Sequence, residues 1–315
     1  MEIIIKKHMK NIDKLADLIR QDSPEAVFEE AEIVLKMISY DMDDGPVSVV
    51  FKTVVDLYRG DFPGYRSCNT KYHDLQHALD TFLAMVRLIH GAVITGRTFS
   101  ERHIPLGLIC SLLHDVGYIQ KENDLVGTGA KYMANHVQRS IEFLECYGKD
   151  FGLFASEIKA GRLIILCTDL AVNPGEVDFS SKDTEILGKM LGAADLLAQM
   201  SDRIYLEKLL FLYREFKEAR VGGYQSEVDL LKQTVAFHGL ISKRFNSQLI
   251  RTDKFATAHF AERWKVSRNL YTEAILRQKK YLQKVLLIPD VDPLAYLNRD
   301  GIAERFREKI SEQKK

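Results

Sequence analysis

The chain has 315 residues, of which 46% are hydrophobic and 28% charged, a balance that is ordinary for a soluble globular protein. Its 44 basic and 44 acidic residues cancel, so no overall positive field favours nucleic acid or an anionic membrane as a partner. The four cysteines form no paired motif, and neither a signal peptide nor a membrane-spanning run is evident in the sequence. We therefore expect a reduced, cytoplasmic protein with no membrane contact.

Apolar residues recur at helical spacing along almost the whole chain, and no convincing strand alternation interrupts them. Ser23-Pro24-Glu25 is a typical helix start, with serine as the cap and proline in the first turn. The prediction is an all-α, multi-helix globular bundle. The predicted helices are 12–19, 24–40, 46–58, 72–94, 104–116, 129–147, 151–168, 183–200, 202–220, 225–247, 263–286 and 294–312.

Candidate functional residues fall only in the middle of the chain, which suggests a functional domain with an extension at each end. We predict an N-terminal helical extension over 1–40, a main domain over 41–288 and a charged C-terminal helical tail over 289–315. The two ends carry no candidate ligand and leave room for a partner-binding role, including a homodimer.

Four of the nine histidines stand where helix geometry brings them together. His73 and His77 lie four residues apart in the stretch 72–80 (YHDLQHALD), so both rings share one face of a predicted helix. His114 ends the apolar helix 104–116, which can pack against the first, and His136 lies on the helix that follows. Such a cluster of imidazoles is a candidate metal site.

Two aspartates complete the candidate site. Asp115 follows His114 directly, and together they offer the nitrogen and hard oxygen ligands of first-row metals. Asp195 lies in the small apolar stretch 192–197 (GAADLL), where burying an unpaired carboxylate would be costly. Metal coordination would offset that cost.

The order of these motifs resembles the HD superfamily of metal-dependent phosphohydrolases. Within it, the pattern is most similar to the catalytic domain of class I cyclic-nucleotide phosphodiesterases, and it implies a helical fold of that type for the main domain. The resemblance covers roughly residues 70–200. Its motifs are YHDxxHAxD at 72–80, HD at 114–115, TD at 168–169 and ADL at 194–196.

The resemblance implies two divalent metal ions, with Fe, Mn, Zn and Mg all compatible with the ligand types. It assigns one ion to His77, His114, Asp115 and Asp195, and Asp115 bridges to the second ion. A hydroxide held between the metals would attack the phosphoester. His73 would act as the general acid on the leaving group, a contribution of about 10²–10⁴ in rate. His136 remains open between a ligand of the second metal and a phosphate contact.

Further residues take supporting roles in this reading. Asp169 or Asp80 would hydrogen-bond a ligand histidine, as carboxylates behind metal ligands often do. Arg139 lies one turn after His136 and is a candidate phosphate contact; Lys121 and Lys131 are weaker ones.

Three positions depart from the phosphodiesterase pattern. Asp74 replaces the usual asparagine, and Tyr118 stands in place of a histidine after the His-Asp pair. Gln233, a candidate substrate contact, precedes Phe237 by four residues, where the family's base-binding glutamine precedes its phenylalanine by three. These departures leave the substrate open.

The expected function is a metal-dependent phosphohydrolase, in particular a phosphodiesterase acting on a cyclic or other nucleotide phosphoester. One alternative is an HD-type nucleotidase or dNTP phosphohydrolase, and another is a non-catalytic HD-fold signalling or scaffold protein. The expected partner is a small-molecule phosphoester, with no nucleic acid polymer and no membrane.

Overall fold

The structure is a computed structural model that describes residues 14–19, 23–39 and 45–304. These residues form α-helices, short 3₁₀ turns and loops, which confirms the all-α prediction. In the described ranges no strand occurs, and the only β pairing is an isolated bridge between Tyr65 and Lys121.

Eleven α-helices can be placed in the described part of the chain. In chain order they are α1 (Pro24–Ile38), α2 (Gly45–Arg59), α3 (Leu75–Ile94), α4 (His103–Leu113), α5 (His136–Tyr147), α6 (Ala155–Leu166), α7 (Lys182–Ser201), α8 (Tyr205–Glu218), α9 (Glu227–Ser247), α10 (Phe255–Trp264) and α11 (Leu270–Leu286).

Helix α3 is the centre of the bundle. It packs along α7 and α10 and also contacts α1 and α4. By length and composition α3 would suffice to cross a membrane, but 83% of its apolar window is buried inside the fold. Its hydrophobic sequence is therefore explained by its place in the core, where it carries His77 toward α4 and α7.

Several helix predictions differ from the structure. The described part of the predicted helix 12–19 forms only a 3₁₀ turn, Leu15–Asp17. The predicted helix 129–147 is a 3₁₀ turn, Gly129–Tyr132, followed by α5, since the chain turns before His136. No helix was predicted over Phe255–Trp264, where the buried face of α10 includes the polar His259. The predicted helix 263–286 begins only at Leu270, because Lys265 ends α10 with a positive φ of 58° and Asn269 caps α11.

The described parts of both chain ends contribute to the common core. Val27 of α1 and Ile302 near the C-terminus are buried in the same hydrophobic cluster as α3. From residue 293 to 301 the chain forms two 3₁₀ turns in place of the predicted continuous helix, with Asp300 at a positive φ. Residues 1–13, 20–22, 40–44 and 305–315 lie outside the described residues, and the three-part division stays a prediction.

Candidate metal centre

The first histidines of the site are placed by the start of α3. Asp74 caps this helix, and its Oδ1 accepts a hydrogen bond of 3.0 Å from the backbone N–H of His77. Asparagine and aspartate cap helices about equally well, so aspartate at this position is compatible with the same backbone. His73 lies just before the helix and His77 in its first turn, and their ring centroids are 6.1 Å apart.

The end of α4 fixes the second histidine. His114 is fully buried, and its Nδ1 lies 2.8 Å from the carbonyl oxygen of Ser111. A carbonyl only accepts, so Nδ1 carries the hydrogen and the neutral ring presents the lone pair of Nε2. That lone pair faces His77 and Asp115, which is the orientation that a metal-binding histidine needs.

Four side chains converge at this point. The Nε2 atoms of His77 and His114 are 3.3 Å apart, and Asp115 Oδ2 lies 3.3 Å from the first and 3.4 Å from the second. Asp195 Oδ1 lies 3.1 Å from His77 Nε2 and 3.9 Å from His114 Nε2. His77, His114 and Asp115 thus form a buried group that could hold a metal ion. Asp195, from α7, is adjacent to it.

The electrostatics of this group favour a bound positive charge. Burial alone lowers the pKa of His77, but the carboxylates of Asp115 and Asp195 outweigh it and raise that pKa to about 10. The pKa of His114 is raised in the same way, mainly by Asp115. Conversely, burial raises the pKa of the Asp115 carboxyl, yet His114 and His77 hold it well below its usual range.

A buried oxygen tests whether a cation suits the group. Asp115 Oδ2 is shielded from solvent and has no hydrogen-bond partner among the described residues. An unpaired carboxylate oxygen in the interior is costly unless a cation satisfies it. The two imidazole nitrogens and this carboxylate oxygen are ligand types that suit a first-row divalent metal.

Asp195 is oriented by a chain of side chains that the sequence did not reveal. Its Oδ1 accepts a 3.0 Å hydrogen bond from Gln199, one turn later on α7. The Gln199 Oε1 in turn accepts a 2.9 Å hydrogen bond from the hydroxyl of Tyr72. Hydrogen bonds from behind restrict a ligand's rotation, so Gln199 and Tyr72 hold Asp195 toward the histidines.

His136 and His73 flank the group through Tyr118. The Tyr118 ring stacks on His73 at 4.3 Å between centroids and on His136 at 4.5 Å. Since His136 Nδ1 lies 2.7 Å from the Met133 carbonyl, its Nε2 is the free lone pair, 3.7 Å from Asp115 Oδ1. His136 thus lies near Oδ1 of Asp115, whereas His77 lies near Oδ2.

His73 has a buried partner that was not anticipated. Its Nδ1 lies 2.7 Å from Oε2 of Glu215 on α8. The other oxygen of Glu215 accepts hydrogen bonds from the backbone N–H groups of Lys71 and Tyr72. Burial raises the pKa of Glu215, but His73 more than offsets this and keeps it below its usual value. The carboxylate therefore holds both the loop and the ring, and 142 residues of separation hid the pair from sequence reasoning.

The loop containing Thr168 and Asp169 follows α6 and lines the same cavity. Asp169 Oδ1 accepts a hydrogen bond from the N–H of Ala171, and the Thr168 hydroxyl donates to the Ile165 carbonyl. Arg244 of α9 anchors the loop through hydrogen bonds to four carbonyl oxygens. These belong to Cys167, Asp169, Leu170 and Val172.

The other predicted supporting residues lie at varied distances from the ligands. Asp80 accepts a hydrogen bond from Gln76 and borders a small pocket with His77. Burial, with the nearby Asp202, raises the Asp80 pKa to about 7. Arg139 does not line the cavity, since its guanidinium donates to the carbonyls of Gly117 and Ile119.

The remaining basic candidates and histidines are used elsewhere. Lys121 contacts Tyr65 and Lys131 pairs with Asp124, on the surface. His90 and His259 pair with each other inside the core, 3.1 Å apart at Nδ1. His103 and His238 also have partners elsewhere in the protein. His8 lies outside the described residues.

A cavity of about 310 Å³ opens from the group toward α8 and α9. Gln233 and Phe237, four residues apart on α9, both line it. Phe216 contacts the core and also lines this cavity, stacked on Tyr224 at 5.1 Å. In the sequence, the adjacent glycines at 222–223 signal the loop between α8 and α9.

The fold and site define an all-α protein with a possible metal-binding His-His-Asp group. The chain belongs to the Npun_R2479-like family, whose model matches residues 62–258, more than half of the sequence. That range contains every site residue described above. A search of curated proteins finds no match to this chain. The family description names no activity, so the function has to be argued from the site.

Proposed function

We propose that this protein is a metal-dependent phosphohydrolase that cleaves a phosphoester bound in the cavity beside His77, His114, Asp115 and Asp195. The observation that carries the proposal is the buried group of His77, His114 and Asp115, with Asp195 beside His77. In this proposal one divalent ion is held by the four residues and a second by Asp115 with His136. Bound metals would activate water and neutralise phosphoryl oxygens.

The residues around the ligands have separate tasks in the proposed reaction. His73 lines the cavity beside the ligands and donates a proton from Nε2 to the leaving oxygen. Glu215 accepts the hydrogen of Nδ1 and so directs Nε2 toward the substrate. Tyr118 stacks against His73 and keeps the ring from rotating. General-acid assistance of this kind contributes about 10²–10⁴ in rate.

The first test is the metal requirement of the full-length protein. Wild type purified without chelators is expected to bind one or two equivalents of a first-row divalent metal. It should hydrolyse a chromogenic phosphodiester when Mn²⁺, Fe²⁺ or Mg²⁺ is supplied, and lose activity in EDTA. EDTA should also lower the melting temperature, because an ion at about 100 times its Kd stabilises the folded state by about 2.7 kcal/mol.

The matched variants are Asp115→Asn and Asp178→Asn. Asp115→Asn keeps the side-chain shape but removes the buried charge, and should lose both metal and turnover. Asp178 is exposed and is not among the residues that line the cavity, so its variant should behave as wild type. Unchanged hydrolysis in a folded Asp115→Asn protein, or no metal binding by wild type, would reject the proposal.

A further inference from the structure

The cavity has two unlike walls. One wall is the candidate metal centre on α3, α4 and α7. The other is formed by α8, α9 and the loop between them, and its side chains are mainly apolar or aromatic. These side chains are Tyr205, Leu209, Leu212, Phe216, Tyr224, Leu230 and Phe237.

No lysine or arginine is among the described residues that line the cavity, whereas three carboxylates are. Three basic side chains on or next to segments that line the cavity are committed to other partners. Arg139 donates to two carbonyls, Arg244 anchors the loop after α6, and Lys131 pairs with Asp124. Sites for polyphosphates normally supply arginine or lysine to each additional phosphate. In this cavity, only the proposed metal ions would neutralise the negative charges of a polyphosphate substrate.

Two polar side chains on the apolar wall already donate within the protein. The Gln233 amide donates both of its hydrogens, to the Gly223 carbonyl and to Asp229. The Thr234 hydroxyl donates to the Leu230 carbonyl one turn earlier. A site that reads a nucleobase edge directs polar groups at it, whereas most side chains of this wall are apolar or aromatic. The wall therefore suits an apolar surface.

Phe216 and Tyr224 make part of this wall aromatic. Their rings stack on each other, nearly parallel at 10°. The Tyr213 hydroxyl donates to the carbonyl of Gln225, which fixes the loop that carries Tyr224 against α8. A preformed aromatic and apolar wall favours an apolar or aromatic ligand group.

We propose that the substrate is a singly charged phosphodiester with one large apolar or aromatic group, and not a nucleoside polyphosphate. The inference rests on the proposed hydrolase function. The phosphoryl group faces the ligand wall, and the apolar group lies on the wall formed by α8 and α9. Water adds to phosphorus and releases one proton, the bond to the leaving oxygen breaks, and that oxygen takes a proton from His73. The proton released by water replaces the one that His73 gives up, so the products are a phosphomonoester and an alcohol.

The test uses three p-nitrophenyl phosphodiesters of equal charge and identical leaving group. Their second substituents are methyl, phenyl and thymidine. The phenyl ester should exceed the methyl ester in kcat/KM by at least about tenfold, because its ring is buried on an apolar wall. It should also exceed the thymidine ester, and dTTP should be the poorest substrate. Equal rates for methyl and phenyl, or preference for thymidine or dTTP, would overturn the inference.

Variants locate the preference on the apolar wall. Phe216→Ala should lower the phenyl-to-methyl ratio by about fivefold or more through loss of ring contact. Phe154→Ala is the control, since Phe154 is an exposed aromatic at the start of α6 and does not line the cavity. If Phe216→Ala fails to fold, Leu212→Asn is the substitute. Leu212 lies on the same wall and is only partly buried, so we expect the fold to tolerate the change.

Binding separates failure of this inference from failure of the proposed function. Phenyl and methyl esters of methylphosphonic acid carry one charge each, and calorimetry with metal-loaded protein gives their affinities. Tighter binding of the phenyl ester without turnover of any diester would reject the hydrolase and retain the cavity's preference. Turnover with equal affinities would retain the hydrolase and reject the preference.

Discussion

Glu215 illustrates how one buried carboxylate can serve structure and chemistry together. One of its oxygens accepts the backbone N–H groups of Lys71 and Tyr72, and the other lies 2.7 Å from His73 Nδ1. The first oxygen fixes the loop before α3, and the second sets the tautomer and direction of the proposed acid. A neutral amide could retain the first role but not the charge of the second.

Glu215→Gln should therefore reduce kcat and leave metal content unchanged. The carbonyl of the introduced glutamine can still accept from the loop, while the proton on His73 loses its compensating charge. We expect kcat to fall by about 10²-fold, within the range of general-acid contributions. The loss should be smaller for substrates with better leaving groups, which need less protonation.

Metal analysis and kinetics across a leaving-group series provide the measurement. Glu142→Gln, an exposed change on α5, is the control and should match wild type. Loss of metal together with activity would mean that Glu215 acts on the ligand geometry and not on His73. A uniform loss across the leaving-group series would also contradict the role proposed for His73.

Among the secondary-structure elements, the contact between α5 and the His-Asp turn is the tightest constraint on the site. The turn Val116–Tyr118 lies against the start of α5, where the N–H of Gly117 donates to the Ser140 hydroxyl. A Cβ on Gly117 would lie 1.9 Å from the carbonyl oxygen of His136. Only glycine allows this approach, which sets the distance between Asp115 and His136.

Gly117→Ala should displace α5 and separate His136 from Asp115. Forcing a methyl group into backbone contact costs about 1–3 kcal/mol of unfolding free energy. Urea unfolding and metal stoichiometry are the measurements, and we expect a loss in both, with the second ion affected first.

Gly222→Ala is the matched control for that substitution. A Cβ at Gly222 meets no atom within 4 Å, so the same chemical change should alter stability by no more than about 0.5 kcal/mol. Equal effects of the two substitutions would show that the turn accommodates a side chain and that the close contact is not essential.

For the whole molecule, buried neutral histidines make stability depend on pH. Burial lowers the pKa of His238 to about 4, and the pKa values of His259 and His90 are lowered for the same reason. An unfolded histidine has a pKa near 6.5. Between about pH 6.5 and 4 the unfolded chain therefore binds protons that the folded protein excludes, and acid favours unfolding.

His238→Gln should reduce this pH dependence, because glutamine does not titrate. Stability should be retained above the unfolded pKa and lost as the pH falls below it, with a shallower slope in the variant than in wild type. Denaturant unfolding at several pH values from 7.5 to 4.5 gives the slopes. The same slope in both proteins would mean that His238 is protonated in the folded state.

Much of the fold could be predicted, because helical periodicity is a local property. The spacing of apolar residues located most helices to within a few residues, and Ser23 caps α1 as predicted. The missed helix, α10, buries His259 on its apolar face, where a polar residue weakens the pattern. The predicted helix 263–286 began too early, because Lys265 ends α10 with a positive φ. Lysine has no intrinsic preference for this conformation, so its residue type did not signal the break.

The sequence by itself determined the helical class and the types and order of the candidate ligands, including the adjacent pair His114-Asp115. Only tertiary structure could bring His77, His114 and Asp115 into one buried group and set Asp195 beside it, since these residues lie on three separate helices. Tertiary packing also chose Glu215 as the partner of His73 and turned Arg139 toward carbonyl oxygens. The apolar pattern of a helix shows which of its faces is buried. The residues that each side chain contacts depend on which helices pack together in the tertiary structure.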